Sequence, residues 1–211
     1  MIPSKSAWTA ALIARHGMEL HKRFSSATVA VCGLGGLGSN IAIALARAGV
    51  GKLLLIDFDR VDITNLHRQQ YKANQIGRYK ADALAETLSE LAPYTEVEAV
   101  IAAITEENLA DLLKAADVVC EACDSAETKA MLVNGVLERL PDCYLVAASG
   151  MAGMQTPNTI RTRKIMKRFY LCGDEVSDAA ETIGLVAPRV MLCAAHQAHT
   201  VLRILAGEYE V

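Results

Sequence analysis

"TVAVCGLGGLGSNIAIALARAGVGKLLLIDFD" runs from Thr28 to Asp59. Its first five residues are apolar enough for a strand buried on both faces. Gly33, Gly35 and Gly38 then fit the spacing G-x-G-x-x-G, with Gly36 between them. A helix-like pattern follows over 38–49, and a second apolar run, 52–56, ends on Asp57. Glycines after a strand allow a sharp turn and let a phosphate approach the backbone amides. The start of the next helix offers unpaired N–H groups and a partial positive charge to that phosphate. Asp57 lies nineteen residues after Gly38, where an acidic side chain can hold ribose hydroxyls. These residues predict an adenine nucleotide site. A dinucleotide-dependent oxidoreductase would carry the same signal.

Outward from this unit the pattern repeats. Apolar runs at 97–101, 117–121 and 143–148 read as strands, and 78–92, 106–115 and 125–139 as helices. Strand–helix alternation predicts an α/β fold, a doubly wound, mostly parallel Rossmann-like sheet with helices on both faces. Residues 1–25 read as an amphipathic helical segment. The stretch 150–188 reads as irregular with room for a short antiparallel element, and a last helix is expected near 189–206. One domain over 1–211 accommodates all of this.

The residues after Asp57 narrow the chemistry. Asp59 follows at once, then Asn65 and Arg68 in "TNLHRQ", Lys80 in "GRYKADAL", and Asp124 and Ser125 in "CDSAETK". In a doubly wound sheet most of these fall at or just past the carboxyl ends of strands, the edge where ligands bind. Hydride transfer has little use for this mixture. A triphosphate does, because fixed cations offset charge at the reacting phosphorus and magnesium binds carboxylate and phosphate oxygens.

GLGGLGS, DFD, NLHRQ, the lysine of GRYKADAL and the aspartate of CDSAETK together resemble the ThiF/MoeB/HesA group of adenylyltransferases, relatives of the ubiquitin-activating enzymes. The compact length, "RHGMEL" and "ETIGLVAPRV" look most like the short ThiF branch of thiamine biosynthesis. The resemblance implies an enzyme that uses ATP and Mg2+ to adenylate the C-terminal glycine carboxylate of a ThiS-like, ubiquitin-like sulfur carrier. It implies nucleotide contacts from Gly33, Gly35, Gly36 and Gly38, with Gly36 beneath the nucleotide. Asp57 would hold ribose; Asn65, Arg68 and Lys80 would face the phosphates. Asp59 and Ser125 belong to the same motifs. Asp124 would hold magnesium, as the residue on which catalysis depends most. It also implies a homodimer in which an N-terminal arginine, here Arg15, enters the partner's site. Specificity for the carrier is expected in 150–188. Activation of the molybdopterin carrier or of a tRNA carboxylate uses the same nucleotide residues and stays open.

The sequence departs from the group in two ways. Larger members carry two CxxC pairs for zinc; this chain has one, Cys120 and Cys123, so no zinc site is expected. "DAAETIGLVAP" lacks the cysteine that some thiamine-pathway members use in sulfur transfer, and Cys172, a dozen residues earlier, is the candidate substitute. His196 and His199 share the last helix, where packing roles are expected.

The chain has 211 residues, 52% hydrophobic and 21% charged, with net charge -3. That balance suits a buried core, gives no span long enough for a membrane, and offers no excess of cations for nucleic acid, which is not expected as a partner. Six cysteines without a disulfide spacing pattern predict a reducing, cytoplasmic setting.

Overall fold

A computed structural model describes residues 2–211. Five parallel strands, β1 (Thr28–Cys32), β2 (Lys52–Ile56), β3 (Glu96–Val100), β4 (Val118–Glu121) and β5 (Tyr144–Ala148), match the expected runs to within a residue or so. Two more, β6 (Arg161–Met166) and β7 (Phe169–Gly173), complete a seven-stranded sheet of order β3-β2-β1-β4-β5-β7-β6. β7 runs parallel to β5, and β6 is antiparallel to β7.

The two faces are sorted by alternation. Val29, Val31, Leu53, Leu55, Val118 and Cys120 join one buried cluster with α3 (Gly36–Ala48), α4 (Lys80–Leu91) and α7 (Ala187–Ala206). Ala30, Cys32, Leu54, Ile56 and Val119 face the other way, against α5 (Leu109–Leu113) and α6 (Ala126–Arg139). β3 lies at one edge and is largely exposed; Glu96 and Glu98 both pair with Lys52, at 2.9 and 2.8 Å.

Several expectations are corrected. The stretch 150–188 holds the short antiparallel element expected there, the β6–β7 hairpin, but that element joins and widens the main sheet. β6 reads "RTRKIM", a solvated edge strand that lacks the apolar run of a buried one. The N-terminal segment is two helices, α1 (Lys5–His16) and α2 (Met18–Ser26), broken at Gly17, whose φ of 84° ends the first. α3 begins at Gly36 rather than 38, because the glycine loop itself turns into the helix. α5 is a short remnant of the helix expected at 106–115.

β1 sits between β2 and β4: the chain winds outward from β1 through β2 to β3, then crosses back to β4 on the other side. A crevice opens there above the carboxyl ends of the strands. No helix of the described residues is long and apolar enough to cross a membrane.

Candidate active site

The crevice is a cleft of about 700 Å³. Gly33, Gly35, Gly36, Asp57, Asp59, Asn65, Arg68, Lys80, Asp124 and Ser125 all line it. Residues spread over 93 positions of sequence thus meet along one rim. Of the remaining expected residues, Gly38 lies inside α3, under the loop rather than on the surface of the cleft.

The glycine loop is held from below. Gly33 has φ 88°, and a methyl on it would stand 2.7 Å from the Ala122 carbonyl oxygen. A methyl on Gly38 would overlap the Gly33 carbonyl, and one on Gly36 would press Val190 at 2.8 Å. Gly35 differs: an added methyl would meet only the Gln69 side chain, at 3.7 Å. Packing therefore does not require glycine at 35, whose open side faces the cleft. No side chain caps the start of α3, and Gly36 and Leu37 of its first turn line the cleft. Gly38→Ala is expected to lose about 3 kcal/mol of stability or more through backbone overlap. Gly35→Ala should lose much less and instead weaken nucleotide binding. Thermal unfolding and calorimetric titration with AMP check this; equal stability of the two variants would contradict it.

Asp57 is buried, and both carboxylate oxygens already accept backbone N–H groups: Oδ2 from Leu34 at 2.6 Å and Oδ1 from Asp59 at 2.7 Å. Asp57 therefore locks the glycine loop onto the end of β2, and each oxygen keeps a further lone pair for a ligand hydroxyl. Burial pushes its pKa up, against the opposing pull of Lys80 and those amides. Lys80 opens α4, is itself buried, and places Nζ 2.7 Å from Asp59 Oδ2 and 4.0 Å from Asp57 Oδ2. An ammonium has three donors, so Lys80 can hold Asp59 and still face an anion.

Asn65 shapes the turn that carries Arg68. Its Oδ1 accepts the Asp62 N–H at 3.3 Å in a reciprocal cap of the short 3-10 turn Ile63–Asn65. Arg68 lays its stem against Gly36 and gives Nη1 to the Thr64 carbonyl at 3.2 Å. Its Nε is buried without a partner, as is Oε1 of the neighbouring Gln69. Buried polar atoms are almost always paired, so an unpartnered guanidinium donor in a cleft fits an anionic ligand that completes it. Asp124 is exposed, follows β4, and precedes Ser125, whose Oγ caps α6 through the Thr128 N–H at 3.3 Å. The described residues hold no cluster of three or more metal-ligating side chains. Magnesium shared with phosphates needs only one or two carboxylates, which Asp124 can supply.

Two expected residues stand elsewhere. Arg15 is exposed on α1, and that helix packs at the far end of the sheet: Leu12 lies under Gly49, the C-cap of α3, and Trp8 meets Tyr94 edge-on at 6.2 Å. Arg15 does not enter the cleft of its own chain. Cys172 is fully buried in β7 beside Thr162, and burial lifts its thiol to about 11. A thiol so protonated and enclosed is a poor nucleophile. His196 bonds Thr162 Oγ1 at 2.9 Å, joining α7 to the hairpin, which is a packing role.

The sequence reading missed part of the cleft wall. Lys129 lines the cleft and pairs at 2.5 Å with Glu121, fully buried behind the wall and signalled only by a carboxylate ending the apolar run VVCE. Two loops that flank the hairpin supply the roof, through Met151, Ala152, Ser177 and Asp178. Arg189 in the first turn of α7 ties these loops together.

The model of the ThiF family matches residues 9–211. The chain belongs to the ThiF family. Among curated relatives, the tRNA threonylcarbamoyladenosine dehydratase of Bacillus subtilis is 36% identical over 157 residues, 74% of this chain. The sulfur carrier protein ThiS adenylyltransferase of the same organism is 29% identical over 204 residues, 93% of this chain. The chain spans 60% of the length of each. A solved structure of the Escherichia coli tRNA N6-threonylcarbamoyladenosine dehydratase in complex with AMP superposes with a TM-score of 0.85, covering 99% of this chain and 98% of that one at 23% identity. At that identity the likeness speaks for the ThiF fold alone.

Proposed function

We propose that this ThiF-family chain is an ATP-dependent adenylyltransferase that activates the C-terminal glycine carboxylate of a ThiS-like, ubiquitin-like sulfur carrier. The observation that carries the reading is the single rim on which the glycine loop, Asp57, Lys80, Arg68 and Asp124 meet. The named activity of the ThiS adenylyltransferase, matched over 93% of this chain, supports it.

In this reading a carboxylate oxygen of the carrier attacks the α-phosphorus of ATP. An acyl–oxygen–phosphorus bond forms, the bond to the bridging oxygen breaks, and pyrophosphate leaves. No side-chain nucleophile is needed. Asp57 holds the ribose, the loop amides and the start of α3 face a phosphate, and Arg68 and Lys80 offset charge on the phosphates as it builds. Asp124 would hold Mg2+, which would supply further charge neutralisation on phosphate oxygens. Fixing two reactants in line lowers a barrier by about 7–11 kcal/mol in favourable cases. Residues 150–188 form the carrier-recognition region, and a homodimer places Arg15 toward the partner's cleft.

A second reading, activation of a tRNA carboxylate, draws on the B. subtilis dehydratase relative. The charge pattern weighs against it. Three cations of the hairpin region are already paired: Arg163 with Glu175, Lys164 with Glu210 at 2.8 Å and Arg168 with Asp142 at 3.0 Å. Nucleic-acid binding requires free cations facing phosphates. The deciding experiment mixes the protein with ATP, Mg2+ and either a ThiS-like carrier or tRNA. Mass spectrometry is expected to find AMP on the carrier's terminal glycine; adenylation or dehydration of tRNA alone would overturn the carrier reading.

A further inference from the structure

Two ionisable side chains that this chemistry does not use lie directly beneath the residue on which it depends most. Glu121 ends β4 and is fully buried. Its Oε1 accepts the Cys123 N–H at 2.8 Å, and its Oε2 accepts Lys129 Nζ at 2.5 Å. Lys129 also donates to the Ala148 carbonyl at the end of β5, at 2.8 Å. From the opposite side of the sheet Gln197 of α7 donates to the Glu121 carbonyl oxygen at 2.9 Å.

A buried ion pair is seldom a gain over an apolar filling of the same space. Here burial pushes the Glu121 carboxyl up, and Lys129 only opposes the rise. What the pair does achieve is local. Asp124 sits between two fixed points: the Cys123 amide, held by Glu121, and Ser125, which caps α6. Its own carboxylate has no ion-pair partner among the described residues and is free to face the cleft.

We propose that Glu121 is a positioning residue for Asp124. Its carboxylate fixes the turn Cys123–Ser125 so that the Asp124 carboxylate is presented to a metal in the cleft, and Lys129 ties Glu121 to β5. The proposal rests on the reading of Asp124 as the magnesium-holding residue. Hydrogen bonds behind a metal ligand typically change metal affinity by about 10–100-fold when removed.

The test uses Mn2+ in place of Mg2+, titrated into the whole chain with a non-hydrolysable ATP analogue, free Mn2+ being followed by electron paramagnetic resonance. Asp124→Ala should lose the Mn2+ affinity that exceeds that of the analogue alone. Glu121→Ala should weaken it about ten-fold or more, with affinity for the metal-free analogue unchanged. Glu121→Gln keeps an acceptor for the Cys123 N–H and should recover most of the loss. A purely structural role would lower the melting temperature and leave the metal constant unmoved. Loss in Asp124→Ala with none in Glu121→Ala overturns the positioning role alone, as does a Glu121→Gln variant that binds as weakly as Glu121→Ala. Unchanged Mn2+ binding in Asp124→Ala overturns the reading of Asp124 and the positioning role with it. Should Glu121→Ala not fold, amide hydrogen exchange on the unmodified chain decides. The Cys123 amide is expected to exchange at least about ten-fold more slowly than the Asp124 amide, and equal rates would end the proposal.

Discussion

Asp124→Ala is expected to cut carrier-dependent ATP–pyrophosphate exchange by about 100-fold or more, the usual scale for losing one preorganised electrostatic group at a reacting centre. The same substitution should leave stability within about 0.5 kcal/mol. Asp124 is exposed, and no ion pair among the described residues holds it. The two halves of this prediction separate chemistry from folding. Arg68 and Lys80 do not permit so clean a separation, because Lys80 also anchors Asp59 and Arg68 packs on Gly36. Exchange is measured with labelled pyrophosphate in the presence of the carrier, alongside thermal unfolding. Undiminished exchange in the variant would remove Asp124 from the mechanism.

Arg189→Met should destabilise the protein by about 3–5 kcal/mol, the range for breaking a buried pair by removing one partner. Arg189 and Asp174 are 2.5 Å apart, with side chains 5% and 4% exposed. The guanidinium also donates to the carbonyl oxygens of Ala152, Gln155 and Thr156 and to Thr159 Oγ1. Asp174 in turn accepts the N–H groups of Val176 and Ser177, and Ser177 Oγ accepts the Ala152 N–H at 2.9 Å. One arginine thus joins both loops that roof the cleft. Urea or thermal unfolding gives the stability loss, and proteolysis between 150 and 186 should accelerate in the variant. A loss under about 1 kcal/mol would mean that the loops hold without it.

The same network carries a pH dependence. Burial works to raise the Asp174 carboxyl, but the hydrogen bonds from Ser177, Val176 and Arg189 outweigh it and hold the group below its ordinary value. A carboxylate depressed in the folded state contributes stability above its unfolded pKa, near 4, and loses that contribution as pH falls through the folded value. The wild type should therefore lose stability below about pH 4 more steeply than Asp174→Asn.

Legibility in the sequence followed the range of the interactions. The unit Thr28–Asp59 could be read because each part is locally specified: a β-branched run, glycines at a fixed spacing, a helix, and a carboxylate at the next strand end. The β6–β7 hairpin was only half legible. β6 has charged residues at 161, 163 and 164 and so lacks the apolar run that marks a buried strand, while β7 owes its place to β5, with Leu145 opposite Phe169 and Ala148 opposite Cys172. The break at Gly17 is not legible in the sequence, because the apolar residues on either side still suggest one continuous amphipathic face.

The glycine spacing, the alternation of strand and helix, and the set Asp57, Asn65, Arg68, Lys80 and Asp124 lie in the chain order itself. They determined the sheet, the family and the rim on which the cleft opens, since each depends on backbone preference or on the position of a strand end. The pairing of Glu121 with Lys129, the tether from Arg189 to two loops, the burial of Cys172 and the distance of Arg15 from its own cleft were decided only in three dimensions. Each depends on contacts between segments distant in the fold, where burial sets the strength of a charge and the direction of a side chain, and no spacing along the chain encodes either.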